Sequence, residues 1–423
     1  MRDLPPNVVV LSFEGPDPYS MVGGLGTRVT EMSLALSEAG INTSLLFMGD
    51  PAKEPIESPS PHLHYLRWGQ WISAYHPGGV YDGEWEKAND FTTSVPPFVV
   101  ESIVAPAAER GEGVLVIAED WQTARAAVAL DRCLREAGLR DGVSLLWNAN
   151  NTYGFYSIDW NALRRAATIA TVSRYMRFEL ERCGVEPLVI PNGIPERLLD
   201  GPPGSLVKLA EAAFTRRPLL IKIGRFDEDK RWMQAIEAFA LLRAGHPDAT
   251  MIVRGGREPY GEEIFARARE LGVSVEDVAP ASRAPEATIA ALGAARGAIV
   301  NVRSFVPEEA LLALYNVADA VLANSGREPF GLVGLEVMAA GGLAVTGSTG
   351  EDYVRPFENA IACDTADPSE LAAYLERLAA DPSLATRIRA GGVATAHEYT
   401  WPRVLRLMAL KLAIPHLKPQ DRS

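Results

Sequence analysis

Two glutamates with seven residues between them, Glu328 and Glu336, close the ends of the segment Glu328-Pro329-Phe330-Gly331-Leu332-Val333-Gly334-Leu335-Glu336. The glycine-bearing turn between them opens a helical pattern. A helix N-terminus presents unpaired amides and a partial positive charge, which suits phosphate or sugar hydroxyls. Glu336, about one turn into that helix, can accept hydrogen bonds from both hydroxyls of a ribose. Glu328, on the loop before it, can meet a sugar. The competing reading is an acidic loop followed by an exposed helical glutamate. A second run, Leu219-Leu220-Ile221-Lys222-Ile223-Gly224-Arg225-Phe226-Asp227-Glu228-Asp229-Lys230, places two cations just past the carboxyl end of a strand. Open α/β sheets bind ligands at that end. Arg225 can grip a diphosphate with two parallel donors, and Lys230 adds a compact point charge. Two fixed cations can neutralise a departing nucleoside diphosphate without a metal; a solvated charged turn is the bland alternative. Asp227-Glu228-Asp229 has the spacing of an Asp-x-Asp metal triplet, but its place between two cations argues against a metal.

Other residues offer softer chemistry. Gly23, Gly24 and Gly26 form a loop that reads as a flexible connection, and Gly-Gly-x-Gly is not the Gly-x-Gly-x-x-Gly of dinucleotide sites. Asn148, Asn150 and Asn151 follow a strand end, with polarity for hydroxyls or for capping a turn. Aromatic residues from Tyr65 to Trp85 can stack on a sugar or simply pack a loop over the domain. His62 and His64 lack a third metal ligand.

These groups need a scaffold, and the apolar pattern supplies one. Short apolar runs at Val8–Phe13, Ile41–Met48, Val114–Ala118, Val143–Trp147, Thr168–Val172 and Leu188–Ile190 read as buried parallel strands. Helical spacing separates them at Thr27–Ala39, Thr123–Ala137, Trp160–Arg165 and Ser173–Cys183, while the proline-rich stretch 51–100 breaks the rhythm. A Pro/Gly-marked segment from Pro191 to Gly204 reads as a linker. Alternation then resumes with strands at Leu219–Ile223, Thr250–Val253, Ala298–Val302, Ala320–Ala323 and Leu343–Thr346, and helices between them. The expectation is an α/β chain of two Rossmann-like doubly wound domains, residues 1–200 and 201–398, with a terminal helix in 399–423.

Length fits that division, since 423 residues exceed one ordinary domain. A net charge of −13 argues against a broad nucleic-acid footprint and for a small-molecule substrate. Three distant cysteines suggest neither a disulfide framework nor a zinc site. No run of 18 apolar residues could span a bilayer, and the first residues lack the apolar core of a signal peptide. The chain reads as cytoplasmic. The amphipathic stretch Trp401–Lys418 leaves at most peripheral membrane contact open.

The Glu-x7-Glu segment, the Gly224-Arg225…Lys230 turn, the Ile190-Pro191-Asn192-Gly193-Ile194 segment and the Gly-Gly-Leu-Gly loop stand in an order that resembles retaining GT-B glycosyltransferases. The similar group includes glycogen and starch synthases, sucrose-type synthases and bacterial polysaccharide glycosyltransferases. The resemblance implies two domains facing a cleft, the acceptor on the N-terminal side and the nucleotide-sugar donor on the C-terminal side, with the last helix crossing back to the first domain. It implies that Glu336 binds the donor ribose and Glu328 the donor sugar. Arg225, Lys230 and the amides of Gly331, Leu332 and Val333 would hold the diphosphate, opposite Gly23, Gly24 and Leu25. A lysine that glycogen synthases carry before Gly-Gly-Leu is absent, since Met21-Val22 stands there. A His-Asp-Trp-His pattern is replaced by Glu119-Asp120-Trp121-Gln122, so either Glu119 contacts the sugar instead or the chemistry is slower or different, with Asn150, Asn151 and Trp121 on the acceptor side.

The activity implied is metal-independent retaining transfer of a hexose, with UDP-glucose the first choice of donor, to a carbohydrate or lipid-linked sugar acceptor, with no cofactor and no nucleic-acid partner. A nucleotide-sugar epimerase or hydrolase, a non-catalytic nucleotide-sugar-binding relative and a nicotinamide-dependent oxidoreductase are the alternatives.

Overall fold

In the computed structural model, which describes residues 4–413, the chain forms two compact units. One runs to Gly193 and resumes at Trp401; the other is Ile194–Thr400. The first unit is built on strands β1 (Asn7–Leu11), β2 (Asn42–Met48), β3 (Ile56–Ser60), β4 (Leu63–Trp68), β5 (Val114–Glu119), β6 (Val143–Ala149), β7 (Thr168–Thr171) and β8 (Leu188–Val189). Their order is β3-β4-β2-β1-β5-β6-β7-β8, parallel throughout except for β3 against β4. Every residue of β1 and β5 is buried, as strands covered on both faces must be.

The second unit carries β9 (Leu219–Ile223), β10 (Thr250–Arg254), β11 (Val275–Val278), β12 (Ile299–Val302), β13 (Ala320–Ala323), β14 (Ala344–Thr346) and β15 (Ile361–Ala362). Their order is β11-β12-β10-β9-β13-β14-β15, all parallel. Trp232, Phe239, Leu242 and Ile264 fill the core on one face. In both sheets the order turns back on itself beside the first strand, the arrangement that leaves a ligand crevice at the carboxyl ends.

The unit boundaries fall at Gly193/Ile194 and Thr400/Trp401, a few residues from 200/201 and 398/399. Ile194 N–H donates to the Tyr399 carbonyl at 2.8 Å and Ile194 bridges Thr400, so both chain crossings start from one pair inside the second unit. The helix Trp401–Leu412 then joins the first unit, sharing a core with Val8, Leu25, Val29 and Leu36 through Trp401, Val404, Leu405 and Met408. Each such buried side chain contributes about 1.5–3 kcal/mol of transfer free energy, which anchors a 12-residue helix that would be marginal alone. The rest of the expected amphipathic stretch, including Lys418, lies outside the described residues.

The stretch 51–100 is more regular than its prolines suggest. It holds the β3–β4 pair and a helix, Glu84–Val99, that carries Pro96 and Pro97. Proline removes an amide donor and crowds the carbonyl four residues back; the helix nevertheless runs through both prolines and passes into a wider π-type turn at Val100–Val104. The strand β11 and the helices Gly204–Ala213, Pro285–Ala294, Pro368–Ala380 and Pro382–Ala396 also add to the expected set. β11 carries Glu276 and Asp277 at the sheet edge, so no apolar run announces it. Among the described residues no helix is long and apolar enough to cross a membrane.

Candidate active site

In the second unit, the loops after β9 and β13 come together. Gly326 N–H donates to the Asp229 carbonyl at 2.6 Å, tying the two loops. Lys230 Nζ donates to Glu328 Oε2 at 2.5 Å, with both side chains largely buried. The helix Leu332–Ala339 opens directly behind Glu328, from Gly331 at φ 80°. That φ strains any other residue, and a Cβ there would lie 2.7 Å from Glu351 Cγ. Glycine is therefore required for both reasons. Glu336 is half-buried on this helix, as are Leu332 and Val333, and Arg225 stands exposed on the β9 loop. Of the expected residues, Lys230, Glu328 and Gly331 are thus in one knot, with Arg225 on the same loop as Lys230 and Glu336 on the same helix as Gly331.

Beneath them lie groups that the motif does not reveal. Glu351 is 6% exposed, and its Oε1 has no hydrogen-bond partner. Its other oxygen accepts from Thr349 N–H at 3.2 Å. Burial, reinforced by the Glu328 charge, pushes its carboxyl up to about 8. Thr349 Oγ1 in turn accepts from Glu328 N–H at 2.9 Å, and the Tyr353 hydroxyl donates to the Gly331 carbonyl at 2.5 Å. The Gly347–Tyr353 segment thereby fixes both Glu328 and the helix start. Lys222, inside β9, is 2% exposed. Its Nζ donates to Asn324 Oδ1 at 2.6 Å and lies 4.9 Å over the Trp232 ring. Burial, and then the Lys230 charge, pull it down to about 7. A single lysine in an otherwise apolar strand was the one sequence signal available for it.

The first unit holds a second polar knot at the carboxyl ends of β1, β5 and β6. Glu119 is fully buried; its carboxylate accepts from Arg28 Nε at 3.1 Å, Asn148 Nδ2 at 2.9 Å and Asn150 Nδ2 at 2.7 Å. Arg28 also donates to Asn192 Oδ1. No oxygen of Glu119 therefore faces solvent. Its neighbour Asp120 starts a helix at φ 61°, a left-handed conformation few non-glycine residues tolerate. The Asp120 carboxylate accepts from Asn150 N–H at 2.7 Å and Asn151 Nδ2 at 2.8 Å. Burial, with the Glu119 charge added, raises it to about 7. Trp121 follows, buried under Trp85 and Tyr153.

The glycine loop is also occupied. Glu14, 4% exposed, accepts through Oε2 from Val22 N–H at 3.3 Å, Gly23 N–H at 3.0 Å and Gly26 N–H at 2.8 Å, while Tyr81 donates to its Oε1 at 2.5 Å. This internal anion satisfies helix-start amides, so the helix begins at Gly24 rather than Thr27. A Cβ on Gly26 would lie 2.9 Å from the Glu14 carboxylate, whereas Gly23 has open space and is exposed, as is Gly24; the Leu25 side chain enters the core.

Among the described residues no three His, Cys, Asp or Glu side chains converge to hold a metal ion. Comparison with known proteins places residues 286–393, within the second unit, in the family described as glycosyl transferases group 1. Over 94% of its length the chain is 26% identical to a glycogen synthase of Mycobacterium tuberculosis, covering 92% of that protein. A D-inositol 3-phosphate glycosyltransferase of Salinispora tropica is 30% identical over 44% of this chain and 36% of its own. Among solved structures, a sucrose-phosphate synthase from Thermosynechococcus elongatus superimposes with a TM-score of 0.68 at 20% identity, covering 96% of this chain and 98% of the other. Residues 286–393 of the second unit thus match the group 1 glycosyl transferases, and the chain has a GT-B fold.

Proposed function

We propose that the enzyme moves a hexose from a nucleotide-sugar, UDP-glucose before other candidates, to a carbohydrate or lipid-linked sugar acceptor, with retention of anomeric configuration and without a metal ion. The observation that carries this reading is the Lys230–Glu328 contact at the head of the helix that Gly331 opens and Glu336 shares. In this reading Glu336 takes the ribose hydroxyls and Glu328 the donor sugar. Arg225, Lys230 and the amides of Gly331, Leu332 and Val333 hold the diphosphate and stabilise its charge as the glycosidic bond breaks. An oxygen of the leaving phosphate takes the acceptor proton on the face from which it departs, which gives retention without a protein nucleophile.

The first unit supplies the acceptor side. Glu119 acts there as a positioning residue, since its oxygens hold Arg28, Asn148 and Asn150. Asn150, Asn151 and Trp121 lie nearest the acceptor. Because Glu14 holds the Gly23 amide, a phosphate approaching the glycine loop uses the amides of Gly24 and Leu25. Calorimetry of UDP-glucose, ADP-glucose, UDP-N-acetylglucosamine and GDP-mannose, with and without EDTA, tests the donor. EDTA-insensitive binding of one of them, lost in Glu336→Ala, is expected. Failure of all four to bind, or free sugar released at full rate with no acceptor, overturns the reading.

A further inference from the structure

Three aromatic rings stand together at the carboxyl edge of the first unit's sheet. Trp121, two residues past β5, is 6% exposed. Trp85 packs against it with ring centroids 4.6 Å apart, and Tyr153 meets it edge-on at 6.1 Å. The outer two rings are left open, Trp85 at 48% and Tyr153 at 62% exposure. Gly154 makes room for the floor of this group, since a Cβ there would lie 2.2 Å from the Trp121 ring. Trp121 Nε1 and the neighbouring Gln122 Oε1 are buried without any hydrogen-bond partner. Polar atoms that a protein leaves unsatisfied beside open aromatic faces mark a place where hydroxyl-bearing matter binds.

The charges around the rings select among such ligands. Asp82, Glu84 and Glu86 flank Tyr81 and Trp85 in the chain. Glu84 lies against the floor, accepting from Gln122 Nε2 at 2.8 Å. Lys87 and Arg28, cations built into this edge, both point their charge inward. Lys87 Nζ donates to the Tyr19 hydroxyl and to the carbonyls of Gly79, Val80 and Asp82. Arg28 is spent on Glu119 and Asn192. His76 is shared between Asp82 and Glu86. A phosphate monoester arriving here meets carboxylates at short range, whereas a neutral pyranose meets aromatic faces that match its apolar C–H face.

We infer that this aromatic edge seats the acceptor, and that the acceptor is an uncharged carbohydrate rather than a sugar phosphate or cyclitol phosphate. The inference rests on the transferase reading above, and the experiment separates the two. The full chain is given whichever nucleotide-sugar binds in calorimetry, with matched acceptors: glucose and glucose 6-phosphate, inositol and inositol phosphate, and maltotriose. Released nucleoside diphosphate and product mass are the readouts.

The neutral member of each pair is expected to react with at least about tenfold higher kcat/KM, with maltotriose ahead of glucose. Trp85→Ala and Tyr153→Ala are each expected to raise the acceptor KM about tenfold at unchanged donor Kd, a difference of one power of ten per contact. Trp85→Phe, which keeps a ring face, is expected to recover most of that loss and to melt like the parent. Equal or faster use of the phosphorylated members overturns the inference, as does an acceptor KM within about twofold of the parent in both alanine variants. Donor binding without transfer to any neutral sugar overturns it too. If no nucleotide-sugar binds at all, it is the donor reading that falls.

Discussion

Replacing Glu351 by Gln should make the second unit more stable at alkaline pH and change it little at acid pH. Glu351 titrates at about 8 instead of its ordinary 4.5 because it is buried beside Glu328. The folded chain therefore holds a proton that the unfolded chain releases, and stability is fully present below pH 4.5 and lost as pH rises to about 8. At about 1.36 kcal/mol per pH unit, the gap amounts to about 3–5 kcal/mol. Glutamine keeps the shape, never ionises, and so escapes the loss. Other titrating groups, Asp120 among them, contribute equally to both proteins and cancel in the difference. Urea titrations at pH 5 and pH 9, read by hydrogen exchange on peptides of the second unit, measure it directly. A parent–variant difference that stays constant between the two pH values would falsify the burial argument, and a variant weaker at pH 9 would reverse it.

Lys230→Ala should lower kcat by on the order of 10²–10³ while the melting temperature holds, since in the proposed reading a cation is lost where charge develops; wild-type turnover removes Lys230 from the mechanism. Gly331→Ala forces a Cβ to within 2.7 Å of Glu351 Cγ at φ 80°, which should cost about 1–3 kcal/mol, or several degrees of melting temperature for a unit this size. An unchanged melt means the helix start is soft. Glu119→Ala strands the buried Arg28 charge and should destabilise the first unit by about 3–5 kcal/mol. Urea denaturation within about 1 kcal/mol of the parent contradicts the ion pair.

The alternation of apolar runs exposed both sheets in the sequence, because strands covered on two faces leave no room for polar residues. The Glu328–Glu336 segment and the Arg225–Lys230 loop stood out because each is a short local run, and the fold brings Lys230 of one against Glu328 of the other. What burial and long-range pairing decide was not legible. Glu14 lies 8–12 residues before the amides it holds and 67 before Tyr81, so nothing local distinguishes it from a surface glutamate. Glu119 looks like a free carboxylate until Arg28, 91 residues away, is seen beside it. The helix Glu84–Val99 was hidden because Pro96 and Pro97 read as breakers, yet they fall in its last turn and the helix runs through them.

The buried pair beneath the candidate donor site has a consequence for binding. Lys222 loses its charge near pH 7 and Glu351 gains one near pH 8, so both changes remove positive charge from below the same loops as pH rises. Lys230 is paired with Glu328, and a neutral Glu351 beneath them adds no further negative charge, which favours a dianionic diphosphate. Between pH 6 and pH 8.5 the local charge falls by between one and two elementary charges, given those midpoints. The diphosphate diester of a nucleotide-sugar does not itself titrate in that range. Its Kd should therefore rise with pH by about tenfold or more, as positive charge is lost and negative charge gained beneath the loops proposed to hold it. In Glu351→Gln the rise should shrink to the part that Lys222 supplies. Calorimetric Kd values flat across that range, or a pH dependence identical in parent and variant, would show that these two groups do not speak to the bound phosphates.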